Sequence, residues 1–285
     1  MKHIAPVLAF VFAACGATRN DDLSDGVIEL PKALREVSGI TMAPDGRVAC
    51  LQDELGVIHL VDPDGLRPAE AVPFGERGDY EGLARVGADY WVLRSDGYLA
   101  RITTEPGRWH ISASLRLPSG REWESLCYDA AAARLLTVQK GPAVDDGKAD
   151  DLRPVWAIDP QALTIATEPL LTLRRRRLVD DAEAQGIALA KQRDNQRDKG
   201  KNRTRLELLI SEMLVVPVSG HLLLLSAQDG LVLRVDRDGR LHGASVLDRE
   251  TMPQAEGMTL LPDGRLLVAT EGRGAPARLV VVALP

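Results

Sequence analysis

Five times along the chain a small or acidic pair opens a short apolar run: Ser38-Gly39-Ile40, Glu81-Gly82-Leu83, Glu124-Ser125-Leu126, Ser211-Glu212-Met213 and Glu256-Gly257-Met258. The central residues lie 43, 43, 87 and 45 positions apart. A unit of about 43 residues carrying four short strands is the period of a β-propeller blade. The runs themselves read as strands. RVACLQ, VIHLVD, YWVLRS, RLLTVQ, HLLLLS and LLVAT are short, apolar and bounded by Gly, Pro or Asp. PDGR occurs at 44–47 and 262–265, with DPDG at 62–65 and DRDG at 236–239, each placing Gly where a tight turn needs positive φ. Fourteen residues beyond each central position stands a second phased set, Asp53, Asp96, Gln139, Ser226 and Glu271, all polar at the end of an apolar strand. The expected fold is therefore an all-β propeller.

The last unit ends 28 residues after Gly257, room for three strands rather than four. VIELPKAL (27–34) precedes the first unit and supplies the fourth, so the N-terminal strand is expected to close the ring and remove two open sheet edges. The 87-residue gap is two blades or one blade with an insertion. Composition favours the insertion, because 174–205 holds 11 basic and 5 acidic residues with little strand pattern. Five blades are expected, six being the alternative, with a charged surface insertion at about 174–206. It contains one short helix capped by Asp180 or Asp181. A smaller loop, AVDDGKADD (143–151), adds to the gap and lacks the alternating acidic order of an EF-hand.

The chain begins with Met1-Lys2-His3 and an apolar run at 4–14, too short for a bilayer span of about 20 residues and of the length of a signal-peptide core. Phe12-Ala13-Ala14-Cys15-Gly16 follows. It resembles a bacterial lipobox, in which the Cys is acylated and becomes the new N-terminus. Residues 1–14 are thus expected as signal peptide, 15–26 as lipidated Cys15 and a polar tether, and 27–285 as the propeller. The expected location is the bacterial cell envelope, lipid-anchored at the outer membrane and facing the periplasm. Of three Cys, the mature body keeps Cys50 and Cys127, in non-adjacent units, and free buried thiols are expected. With 45% apolar residues the chain has enough apolar side chain to fold.

Further motifs carry a resemblance. SGI with an acidic DE at 53–54, DYEGLA at 79–84, ESLCYD with VQKGP, SEMLVVPVSGHLLLLS and QAEGMTLLPDGRLLVATEG are similar to the SdiA-regulated family of bacterial propeller (lipo)proteins. The likeness covers 35–285 apart from the insertions and is strongest over 207–272. It implies a propeller that is exported or lipid-anchored. Ser211-Glu212-Met213 departs from the acidic-Ser-aliphatic opener, which puts a ligand role for that unit in doubt.

In a propeller the first strand of each blade lines the central channel, so residues repeated at its start converge on one axis. Ser38, Glu81, Glu124, Ser211 and Glu256 are expected to form one ring and the second phased set another. The ligand-facing set is Ser38, Asp53, Asp79, Glu81, Glu124, Lys140, Glu256 and Glu271. Converging carboxylates repel unless protonated or neutralised, and oxygen-only donors suit a hard cation. Ca²⁺ held by some of Glu81, Glu124, Glu256, Asp53 and Glu271 is the cofactor expected on this argument, with Lys140 the alternative counter-charge. The same Glu side chains have a structural alternative, accepting backbone N–H bonds within the blades.

The expected function is an envelope-anchored propeller that binds a ligand or protein partner. The alternative is a Ca²⁺-dependent esterase or phosphatase-like hydrolase, by fold analogy alone. The five His residues stand isolated in sequence, and no GxSxG, HExxH, P-loop or CxxC occurs. The insertion's net charge of +6 leaves −12 for the rest of the chain. It suits anionic headgroups or a solvated surface. No nucleic-acid partner is expected from an acidic body, and the protein is expected to be a monomer. Its partners are then the membrane, through the N-terminal lipid, and a ligand or envelope protein.

Overall fold

The computed structural model describes residues 26–65, 67–119, 122–141, 151–189 and 206–285. The expected signal peptide, Cys15, nearly all of the expected tether, most of the 143–151 stretch and the second half of the basic insertion lie outside them.

The described residues form a five-bladed β-propeller. Strand β1 (Val27–Glu29) precedes blade 1, which holds β2 (Val37–Met42), β3 (Val48–Gln52), β4 (Val57–Val61) and β5 (Glu70–Pro73). Blade 2 holds β6 (Tyr80–Val86), β7 (Asp89–Arg94), β8 (Tyr98–Glu105) and β9 (Arg108–Arg116). Blade 3 holds β10 (Trp123–Asp129), β11 (Arg134–Gln139) and β12 (Leu152–Asp159), with β13 (Thr164–Ile165) and β14 (Leu171–Arg174) both pairing with β12. Blade 4 holds β15 (Glu212–Val215), β16 (Leu222–Ser226), β17 (Leu231–Val235) and β18 (Leu241–Val246). Blade 5 holds β19 (Gln254–Leu260), β20 (Leu266–Glu271) and β21 (Arg278–Val282), and β1 completes it. That last pairing is antiparallel, Val27 opposite Val280 and Glu29 opposite Arg278. The N-terminal strand therefore closes the ring, as the short last unit requires.

Each blade–blade junction has its own core. One cluster joins Leu34, Ile40 and Cys50 to Leu267 and Leu279, between blades 5 and 1. The next joins Leu51 and Ile58 to Tyr90 and Val92, between blades 1 and 2. Trp91, Trp123 and Ile158 fill the junction of blades 2 and 3. Leu136, Leu178, Leu222 and Leu233 lie between blades 3 and 4, and Leu223, Val232, Met258 and Val268 between blades 4 and 5. Alternate strand residues face opposite neighbours, so both faces of the middle strands are apolar and β16 reads as an unbroken Leu run. Burying each such side chain contributes roughly 1.5–3 kcal/mol. Cys50 and Cys127 are free and buried, and burial pushes both thiols up.

The insertion differs from the expectation of a loose excursion. Helix α1 (Arg175–Gln185) begins within the Arg run and buries Leu178 and Ala182 between blades 3 and 4. Neither Asp180 nor Asp181 caps its start. Asp151 does, accepting the Arg176 N–H at 2.7 Å, while Asp181 accepts the Leu241 N–H at 3.0 Å and docks the helix on blade 4. The Arg run is not wholly free for headgroups or solvent, because Arg175 donates to Leu206 O and Arg177 to Asp238 O. Leu178 in the core and Asp181 on blade 4 together seat the helix. After the insertion, Arg153 holds the returning strand from one side, donating to Leu208 O at 2.8 Å and Glu207 O at 2.7 Å while only 1% exposed. Asp229 holds the other side, accepting the N–H groups of Glu207 and Leu208 at 2.9 Å each and the Ser226 hydroxyl. The histidines are not all isolated either: the His221 and His242 rings lie 4.7 Å apart, with His242 Nε2 2.9 Å from Asp236.

Candidate functional site: an acidic channel mouth

The first strands β2, β6, β10, β15 and β19 touch in a closed circuit, so their starts meet around one axis. In four of the five, the pairing with the second strand slips by one residue at that start. The slips fall between Val37 and Gly39, Tyr80 and Gly82, Trp123 and Ser125, and Ala255 and Gly257. The bulged residues are Ser38, Glu81, Glu124 and Glu256. A bulge leaves its residue out of the ladder and re-aims its side chain. The next position is glycine in three blades because the blades meet there. A Cβ at Gly82 would lie 2.8 Å from Leu126 Cβ, and one at Gly257 3.0 Å from Ile40 N.

Lys140, just past the end of β11, places its ammonium 2.6 Å from Glu124 Oε1. Burial lowers its pKa but the ion pairing with Glu124, and the charges of Glu81 and Glu256, more than reverse this. The carboxyls behave in the opposite way. Burial, then the charge of Glu124 and Asp79, pushes Glu81 up to about 9. Glu124 rises to about 7 through burial, against the pull of Lys140. Glu256 also rises through burial, although Lys140 and hydrogen bonds from Gln254 and Ser211 oppose it. Glu271 rises to about 7 through burial and the charges of Glu256 and Asp53. Asp53 rises to about 6 through burial and Glu36. The mutual effects place these groups in one electrostatic neighbourhood. Asp79 belongs to it, accepting a short hydrogen bond from the Ser95 hydroxyl.

The second phased set does not form a complete ring. Asp53 and Glu271 join the mouth, but Asp96 is drawn away, ion-paired at 2.9 Å to both Arg94 and Arg116. Ser226 is tied to Asp229. Equal spacing along the strand placed these residues in phase, and local arginines decided which of them faced the axis.

Glu212 is the functional candidate that sequence reasoning passed over. It occupies the position that is glycine in blades 1, 2 and 5, and it is among the residues lining a cavity of about 180 Å³ between the first strands. It is 1% exposed, and Oε1 accepts the Met213 N–H at 2.8 Å while Oε2 has no close, well-aligned donor. Burial raises its pKa well above the usual range, against the amides of Met213 and Leu126. Its signal was the one charged residue at a position otherwise Gly or Ser. The Ser38 hydroxyl, 4% exposed, likewise has no partner. Among the described residues no group of three His, Cys, Asp or Glu side chains is gathered closely enough to hold a metal ion.

No curated protein matches the sequence. Among solved structures, the glutaminyl cyclase of Myxococcus xanthus superposes with a TM-score of 0.55 at 16% identity, covering 90% of this chain and 95% of that one. A putative oxidoreductase (glucose dehydrogenase) of Thermus thermophilus gives 0.53 at 14% identity, with 90% and 99% covered. At such identities these likenesses concern the fold alone. Residues 163–277 match the family described as SdiA-regulated, from the end of blade 3 into blade 5. Over 163–277 this five-bladed β-propeller is thus similar to the SdiA-regulated family.

Proposed function

We propose that this protein is an envelope-anchored propeller, tethered through Cys15, whose channel mouth binds a positively charged ligand or a positively charged group of a protein partner. One observation carries the reading. Glu81, Glu124 and Glu256, delivered by three different blades, converge on the ammonium of Lys140, which pairs directly with the buried Glu124 and feels the charges of the half-buried Glu81 and Glu256. Carboxylates placed so are costly to ionise and gain most from an arriving cation. Ca²⁺ is the inorganic candidate, because the donors are all oxygen. Glu81, Glu124, Glu256, Asp53 and Glu271 would have to close in to form its shell of six to eight ligands. The lipid address rests on the FAACG sequence at 12–16.

The test is calorimetric titration of EDTA-treated protein with CaCl₂ and with organic ammonium salts near neutral pH. Heat and a rise in melting temperature are expected from at least one cation, both lost in Glu81→Gln and Glu256→Gln proteins. Silence with every cation sinks the reading.

A hydrolase is the second reading, favoured by Glu124, whose carboxyl titrates at about 7 beside Lys140 and suits proton transfer near neutrality. Turnover of p-nitrophenyl esters or phosphates, abolished by Glu124→Gln in a protein that still melts cooperatively, would establish it.

A further inference from the structure

We propose that the mouth is built for a linear organic di- or polyamine, with the Lys140 side chain standing where one of its ammonium groups binds. This rests on the reading of the mouth as a cation site and names the chemistry of the cation.

The mouth offers two acidic subsites. The inner one consists of Glu81, Glu124 and Glu256, and the protein has already placed a primary ammonium there, 2.6 Å from Glu124 Oε1. An ammonium has three N–H donors and no acceptor, so it seeks three separate oxygens rather than a closed shell. Two unpartnered oxygens are buried at this level. Ser38 Oγ sits at the bulge position of blade 1, and Glu212 Oε2 belongs to a buried carboxyl one position further along blade 4, within electrostatic reach of Glu124 and Glu256. A site for Ca²⁺ needs six to eight oxygens at about 2.3–2.6 Å. The described acidic side chains do not gather in this way.

The outer subsite consists of Asp53 and Glu271, at the ends of the second strands of blades 1 and 5, which are neighbours in the ring. Each feels the other's charge or that of a third carboxylate, and neither is ion-paired among the described residues. Asp53 has neutral partners there, the Gln52 side-chain amide at 2.8 Å and the Glu54 N–H. A ligand with one ammonium neutralises one subsite. A flexible methylene chain carrying two or more neutralises both, and Lys140, on a stem of four methylenes, already models one end of it.

Calorimetric titration of the full chain with spermidine, putrescine, methylamine and CaCl₂, each separately, tests this. Spermidine is expected to bind, and methylamine at least about tenfold more weakly because it reaches one subsite. Lys140→Met, which keeps most of the stem and loses the charge, is expected to tighten spermidine about tenfold by removing the internal competitor. Asp53→Asn and Glu271→Gln, at partly exposed positions that leave the fold intact, are each expected to weaken it about tenfold. Heat from CaCl₂ with none from spermidine overturns the amine and leaves the cation site standing. Heat from neither overturns both. Equal affinity for methylamine and spermidine, or unchanged affinity in Asp53→Asn, removes the second subsite and with it the diamine.

Discussion

The two ends of the central channel use the same residue types to opposite effect. At the end where first strands turn into second strands, acids and arginines are close neighbours in sequence. Arg265 reaches Asp263 at 2.8 Å and Arg47 reaches Asp45 at 2.7 Å. The Arg265 hydrogen bonds hold Asp263 below the usual carboxylate range. At Asp45, burial pushes upward but the hydrogen bonds from Arg47 outweigh it. At the other end, Glu81, Glu124 and Glu256 come from separate blades, share Lys140, and shift upward. Acids neutralised by a neighbour two residues away serve the turn. Acids assembled across blades and left short of cations mark where a partner is wanted.

The comparison supposes a closed ring, so removing the closure is its most severe test. Deletion of residues 26–35 strips β1 from β21 and exposes a strand edge. Loss of cooperative melting and aggregation in light scattering are expected, and a deletion protein that melts normally would show that closure holds neither end together. Gly82→Ala strikes the mouth alone, driving a Cβ to 2.8 Å from Leu126. A loss of about 1–3 kcal/mol in chemical denaturation is expected from overpacking.

Glu81→Gln acts with the reverse sign. The raised acids hold protons more tightly folded than unfolded, so stability falls as pH rises from about 4.5 to about 9, the two ends of the Glu81 shift. The substitution is expected to stabilise the protein at pH 8 by on the order of 1–2 kcal/mol and to flatten that decline. A melting temperature that climbs steadily over the same window contradicts the mouth's electrostatics. Asp263→Asn, at the turn end, is expected to change stability by less than about 0.5 kcal/mol, since its ion pair is exposed. A larger cost there would erase the contrast.

Architecture was legible in the sequence because a propeller repeats. The period exposed the blades, the short last unit exposed the need for VIELPKAL, and the Glu at three of the five openers pointed to the axis. What escaped was whatever breaks the repeat or acts across it. Glu212 was read as a defect of blade 4, yet it lines the cavity between the first strands from the position that packing elsewhere reserves for glycine. Asp96 matched Asp53 in phase, but Arg94 and Arg116 are particular to its blade and capture it. Helix α1 was placed too late because its acidic pair resembles a cap, while the actual acceptor, Asp151, is distant in sequence. His221 and His242 are brought together only by the fold.

The grip of Arg153 and Asp229 on the backbone at 207–208 has a consequence for how this chain tolerates change. Helix α1 fixes the outgoing limb and these two side chains fix the returning one, so both ends of the 190–205 stretch are moored to blades. A tag or a whole foreign module spliced in between Leu189 and Leu206 is therefore expected to leave the five-bladed wheel unchanged, because each described limb is held on its own.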